Sequence, residues 1–350
     1  MRDKHLHIPK DSELLRSIYK LVDEQLIIQN SAFKMKLFLK FLFYIGASCL
    51  FYSLIFLASS HLILILSYIG YGFSTLLFAF NFAHDLSHNT VFQSKKQNNF
   101  FFILIYSLLG AHGEAWKYRH VHSHHYAPNV KDYDSDLRIT KLIRVIPLSE
   151  KKWYHRFQHW YAPFAYTTYS LFWIFIKDFV ILFSKDEYTK KKGLKYHLSF
   201  WIQKSFYVSY LVIIPMIFLP FSWVWVFTAF IAMHLSQSLF LLFTFFMTHH
   251  VETSQYPTTD ENGTIQTSWI MNQIRSSNDM HPFSEVANFI FGGFNNHIAH
   301  HLFPHIHHLH YPKLNKILYH HLEKNSIFPN KTTYFGGIAS HLRHLKKMGI

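Results

Sequence analysis

The chain has 350 residues, half of them apolar, 19% aromatic and only 15% charged, with 34 Lys and Arg against 20 Asp and Glu for a formal charge of +14. Intrinsic disorder is excluded, because it needs low hydrophobicity and high charge. The single cysteine, Cys49, excludes a disulfide scaffold and any zinc or iron–sulfur site built on thiolates. What stands out is 28 histidines.

No cleavable leader is expected, since the first 36 residues are polar and mixed in charge. No Asp, Glu, Lys or Arg occurs in residues 41–83, nor again in 205–251. A helix needs roughly 20 apolar residues to cross the hydrocarbon core, so each run fits two helices. Ser59, Ser60 and His61 supply a polar tip in the first, and Pro220, Phe221 and Ser222 a turn in the second. The expected spans are about 38–58 with 62–83, and about 205–219 with 223–248, with 84–204 and 249–350 packing together as one cap. Two hairpins with short tips leave every Lys and Arg on one side: 8 in residues 1–40, 18 in 84–204 and 8 in 252–350. The positive-inside rule makes that side cytoplasmic. The shorter apolar stretches 98–113 and 160–184 are expected to be interfacial or re-entrant, and the basic run 185–195 to lie on anionic headgroups. The expected fold is therefore an all-α integral membrane protein, one domain with four transmembrane helices in two hairpins and a helical cytosolic cap.

The histidines cluster. His84 and His88 follow the second span at a spacing of four, which puts both rings on one helix face. His120, His124 and His125 form a second group, and His297, His300 and His301 a third. His249 and His250 end the fourth span. Neutral imidazole is a nitrogen ligand for iron, copper and zinc. Nine candidates (His84, His88, His120, His124, His125, His249, His297, His300 and His301) are too many for one four-coordinate zinc and suit two ions of higher coordination, with iron favoured by nitrogen ligation without thiolate. His122 competes with its neighbours and His250 with His249. His305, His307, His308 and His310 read as surrounding groups, and His112, His234, His320 and His321 have no partner at a telling spacing.

These boxes resemble those of the membrane fatty acid desaturase and hydroxylase superfamily. "HDLSH" is similar to the first box of that family, "WKYRHVHSHHYAPNVKDYDSD" to the second, "FFMTHHVE" to the span-end motif and "GGFNNHIAHHLFPHIHHLHYPKL" to the last, with "TSWIMNQ" before it. The resemblance runs from about Phe38 to about Leu322 and is closest to bacterial acyl-lipid enzymes. It implies two iron ions held by the nine histidines, dioxygen as co-substrate, an acyl chain in an apolar tunnel, and no catalytic side chain beyond the metal centre. Asp85, Asn129, Asp134, Asp136, Glu252 and Asn295 are candidates to orient the imidazoles. Three features depart from relatives: His297 and Ala299 stand where carboxyl-end desaturases have Gln and Glu, and Phe245 stands where some acyl-CoA members have an asparagine.

An unactivated methylene has no acidic proton and no leaving group, so a cofactor must carry the hard chemistry. The substrate is expected to be a fatty acyl lipid, acyl-CoA or acyl carrier, and the product a cis double bond; a hydroxylase with the same boxes is the alternative. About 37 residues precede the first span, too few for a fused haem domain, and no nucleotide-binding glycine loop appears. A separate ferredoxin or cytochrome b5-like donor is therefore expected, attracted by the positive chain. Nucleic-acid binding is not expected, because the charge adjoins membrane spans. The chain is expected in the inner membrane of a bacterium or the endoplasmic reticulum of a eukaryote, with metal site and both termini cytoplasmic.

Overall fold

The computed structural model describes residues 4–26, 31–137, 141–184 and 193–350. Most of the expected 185–195 run lies outside them. The chain forms two compact units, one of Met1–Lys34, Arg119–Ala162 and Phe243–Ile350, the other of Met35–Tyr118 and Pro163–Leu242. Nearly every element is helical; among the described residues the only sheet pairs Asp279–Met280 with Lys331–Thr332 in parallel.

Four helices are long and apolar enough to cross a membrane: Ser31–Phe56, His61–Ser87, Leu194–Phe218 and Trp223–His249. The protein is an all-α integral membrane protein with two helical hairpins. The polar tip behaves as the sequence requires, with the Ser60 hydroxyl accepting from the Ile63 amide at the start of the second helix. The third helix begins at Leu194, ahead of the expected residue 205. Lys204, which ended the uncharged run, is buried inside the unit. Its ammonium donates to Asp178 Oδ2 (2.7 Å), Gly110 O (2.6 Å) and Ile174 O (2.8 Å), so the helix passes through it. Segments Trp153–Thr167 and Tyr169–Phe183 form a helix pair bent by 64°, a broken span or re-entrant loop.

The unit of Met35–Tyr118 and Pro163–Leu242 is built on a core of aromatic and aliphatic side chains that includes Tyr68, Phe102, Tyr207 and Phe230. Gly72 allows a close helix crossing there, since a Cβ at this position would collide with the Met233 side chain. The helices carry π-turns at Trp173–Lys177 and Ser209–Ile213. Such a turn interrupts the regular ladder and frees carbonyls. Here Tyr52 and Tyr68 donate their hydroxyls to the Tyr210 and Leu211 carbonyls (2.9 and 2.8 Å), and Lys204 serves Ile174. In an apolar solvent each unserved carbonyl costs several kcal/mol. A further π-turn, Ala79–Ala83, leads into His84.

The other unit packs the amphipathic helices Pro9–Gln25 and Tyr311–Lys324 around Ile270, Ile298 and Leu302. That core is the platform beneath the last histidine box.

Candidate metal centre

Three elements of this unit converge. The π-turn His120–His124, the end of Trp223–His249, and the short helix His297–Leu302 bring seven of the nine expected histidines together. One nitrogen from each of His124, His249, His297 and His301 lies within 4.8 Å of the others, and all four residues are buried. Beside them, His120 and His125 approach Nε2 to Nε2 at 3.2 Å, and the His300 ring stacks on His120 at 5.7 Å. His84 and His88, in the other unit, face each other edge to face at 5.3 Å.

Hydrogen bonds at the far side of each ring fix which nitrogen holds the proton. His124 Nδ1–H donates to Asp134 Oδ2 (3.1 Å), His249 Nδ1–H to the Ser276 carbonyl (2.9 Å), and His301 Nδ1–H to Gln273 Oε1 (2.8 Å). Each Nε2 therefore presents a lone pair inward. His249 and His301 aim those lone pairs at each other across 3.3 Å, and His297 Nε2 stands 2.7 Å from His249 Nε2. Facing lone pairs repel unless a cation lies between them. The donor set thus fits a metal ion by its own chemistry.

Electrostatics agree. Burial pushes His301 well below the usual imidazole range and His88 down to about 4, so both rings are neutral at neutral pH. Burial acts the same way on His124, but the charge and hydrogen bond of Asp134, helped by Asp136, outweigh it and hold this ring above its ordinary value.

The supporting residues divide. Asn129, with a left-handed φ of 62°, places its amide on the carbonyls of His249 (2.9 Å), Gln255 and Ser276 (both 3.2 Å), while its backbone N–H donates to Asp134 Oδ2 at 3.0 Å. One asparagine therefore ties the second box to the span end. Asp136 lies 4.0 Å from His124 Nδ1. Asp85 accepts from Thr90 (3.2 Å) within its own unit. Glu252 is engaged by Arg343 (2.7 Å) and Ser340 (3.3 Å), not by a clustered imidazole. Asn295 is buried, and neither polar atom of its side chain has a hydrogen-bond partner among the described residues. His250 turns to Tyr256 (3.1 Å), leaving His249 as the span-end histidine of the cluster.

Sequence reasoning missed Gln273, Ser276 and Asp279. Gln273 closes the "TSWIMNQ" stretch, which was its signal. Ser276 acts through a carbonyl, which no side-chain pattern reports. Buried Asp279 accepts from the Ile298 amide (2.9 Å), the Tyr319 hydroxyl (2.9 Å) and Asn315 (3.3 Å), and so anchors the start of the last histidine helix. Burial pushes its pKa up to about 7, against the opposing pull of those donors.

The fold and the site define a helical membrane protein that gathers buried imidazoles into a metal-binding donor set. Residues 38–332 match the family described as "Fatty acid desaturase". The chain is 30% identical over 290 residues to an sn-1 linoleoyl-lipid 6-desaturase of Arthrospira platensis, covering 81% of this chain and 76% of the relative. It is 30% identical over 322 residues to an acyl-lipid (8-3)-desaturase of Physcomitrium patens, covering 89% of this chain and 66% of that one. A Synechocystis sn-1 linoleoyl-lipid 6-desaturase is 28% identical over 278 residues, covering 78% and 77%. The chain belongs to the fatty acid desaturase family and is a membrane oxidoreductase.

Proposed function

We propose that this protein introduces a cis double bond into the acyl chain of a membrane lipid at a histidine-held pair of iron ions, using dioxygen and two electrons from a separate carrier. The observation that carries the reading is the lone-pair convergence of His124, His249 and His301, each ring fixed from behind by an acceptor. The relatives act on acyl lipids by name, which favours a lipid-borne chain over acyl-CoA.

The irons would supply the reduction of dioxygen coupled to removal of two hydrogens from adjacent methylenes, so that –CH2–CH2–, O2, two electrons and two protons become –CH=CH– and two waters. The protein's part is to hold, orient and exclude. His124, His249, His297 and His301 would hold one ion, and His120, His125 and His300 would be donors to another; His84 and His88 join the proposed ligand set on their sequence spacing alone. Asp134, Ser276 and Gln273 keep the Nδ1 protons of His124, His249 and His301 in place, so each of those Nε2 atoms stays a donor. Phe294 lies nearly parallel to the His297 ring (19°, 6.3 Å), with Phe245 edge-on to it at 4.8 Å. These rings form an apolar wall that keeps water from the nitrogens. The skew of Lys and Arg to one side of the spans orients the site and both termini to the cytoplasm, where a ferredoxin or cytochrome b5-like donor is available.

Fatty-acid profiling of a host with known lipids, with and without expression, tests the reading. New products two mass units lighter are expected. Products sixteen units heavier would assign a hydroxylase instead, and new double bonds made by protein shown to lack iron, or an unchanged profile from protein shown to contain it, would end the proposal.

A further inference from the structure

Away from the histidines, the unit of Met1–Lys34, Arg119–Ala162 and Phe243–Ile350 holds a pocket of ≈ 390 Å³. Four cations line it, Lys131, Lys141, Arg144 and Lys152, against one acid, Glu150. Its walls are built rather than draped. The Arg144 guanidinium is spent on the carbonyls of Ser149 (2.8 Å), Met348 (2.5 Å) and Pro147. Buried Gln158 holds the Arg144 backbone from both sides, accepting from its N–H at 2.8 Å and donating to its carbonyl at 2.9 Å. The Lys141 carbonyl accepts from Tyr154 Oη and His155 Nε2, both at 3.0 Å. Lys152 is held by Glu150. Lys131 and Lys141 line the pocket, are exposed and form no ion pair within 4 Å among the described residues, although the charge of Lys141 is felt by Glu150.

A second observation gives the pocket its ligand. The segment that follows directly, Trp153–Thr167, turns Trp153, Phe157 and Trp160 outward, 75%, 47% and 72% exposed. Trp153 and Phe157 open and close a 3-10 turn and Trp160 stands in the α-helix that follows, so three exposed rings crowd one short stretch. Arg156 packs over Phe157 at 4.5 Å. Aromatic rings at one edge of a cationic rim are the chemistry of the lipid headgroup layer, where tryptophan enters the interface and Lys and Arg meet anionic lipid. A soluble anion would use the lysines and leave the aromatic face without purpose.

We propose that this pocket binds the phosphate of an anionic phospholipid, with Lys131 and Lys141 as its contacts and the 153–160 face seated in the same lipid. The site is independent of the desaturation reading.

The test uses the full chain purified in detergent. Native mass spectrometry follows binding of phosphatidylglycerol, phosphatidylcholine and inorganic phosphate to the wild type and to K131Q/K141Q. Each basic residue at an anionic surface contributes enough that losing two weakens phosphatidylglycerol binding by about 30-fold. That loss is expected with phosphatidylcholine unaffected and the melting temperature unchanged, since neither lysine makes an ion pair. Inorganic phosphate binding as tightly as the lipid would overturn the lipid assignment in favour of a soluble phosphate. Equal phosphatidylglycerol binding by both proteins would overturn the site itself.

Discussion

Asp134→Asn isolates how the protein tunes its imidazoles. Asp134 Oδ2 accepts from His124 Nδ1 (3.1 Å) and from the Asn129 amide (3.0 Å), while Oδ1 accepts from the Asp136 amide (2.9 Å). An asparagine offers one oxygen for donors that now meet two. Whichever way the amide turns, at least one N–H faces an NH2 group, the Asp136 amide in one orientation and both His124 and the Asn129 amide in the other. Leaving such a donor unserved costs about 1–3 kcal/mol. The His124 ring also loses the negative charge that makes its Nε2 a stronger donor, and partners of this kind are worth roughly 10–100-fold in metal affinity. The expected result is that D134N binds Fe(II) or Co(II) about 10–100-fold more weakly in a chelator-buffered titration. D136N, 4.0 Å from the ring and half-exposed, should change affinity by less than about threefold. A D134N protein that melts lower yet binds metal like the wild type would refute the reasoning, since Asp134 would then serve only the loop.

Other consequences follow from the same contacts. If the proposed pair of irons is held as argued, His84→Ala and His88→Ala should each lower the iron content per chain, read by elemental analysis of purified protein; unchanged stoichiometry would remove the HDLSH pair from the proposed ligand set. Lys204→Met leaves buried Asp178 without its cation and should destabilise by about 3–5 kcal/mol, with K204M/D178L recovering part of the loss in detergent melts. Asp279 has its folded pKa raised from 3.8 to about 7. Its contribution to stability is therefore fully present below pH 3.8, is lost as pH rises toward 7, and is constant above. The wild-type minus D279N difference in melting temperature should slope across that window and flatten above it; a slope confined to higher pH would contradict the assignment. Gly110→Ala adds a Cβ 2.6 Å from the Tyr207 ring at a φ of 75°, and should cost more than about 1 kcal/mol by thermal melt.

Much of this was legible in the chain. Two uncharged runs of more than 40 residues can only be hairpins in a bilayer, because the hydrocarbon core accepts apolar helices of about that combined length. Histidines at spacings of three and four had to share helix faces, so spacing alone made the boxes readable as ligand groups. What the sequence could not decide is everything that depends on residues far apart in the chain. Lys204 reads as the end of an apolar run, yet the helix runs on through it, because Asp178 and two carbonyls neutralise and solvate the ammonium inside the unit. His249 and His250 are adjacent and chemically alike; tertiary packing alone turns one to Ser276 and the other to Tyr256. Glu252 sits in the span-end motif, but Arg343, 91 residues on, claims it. The inward aim of the His249 lone pair rests on a backbone carbonyl, and side-chain identity carries no record of carbonyls. Local spacing fixes which faces carry ligands, whereas which nitrogen is left bare depends on the acceptor behind each ring, and only the folded chain brings that acceptor there.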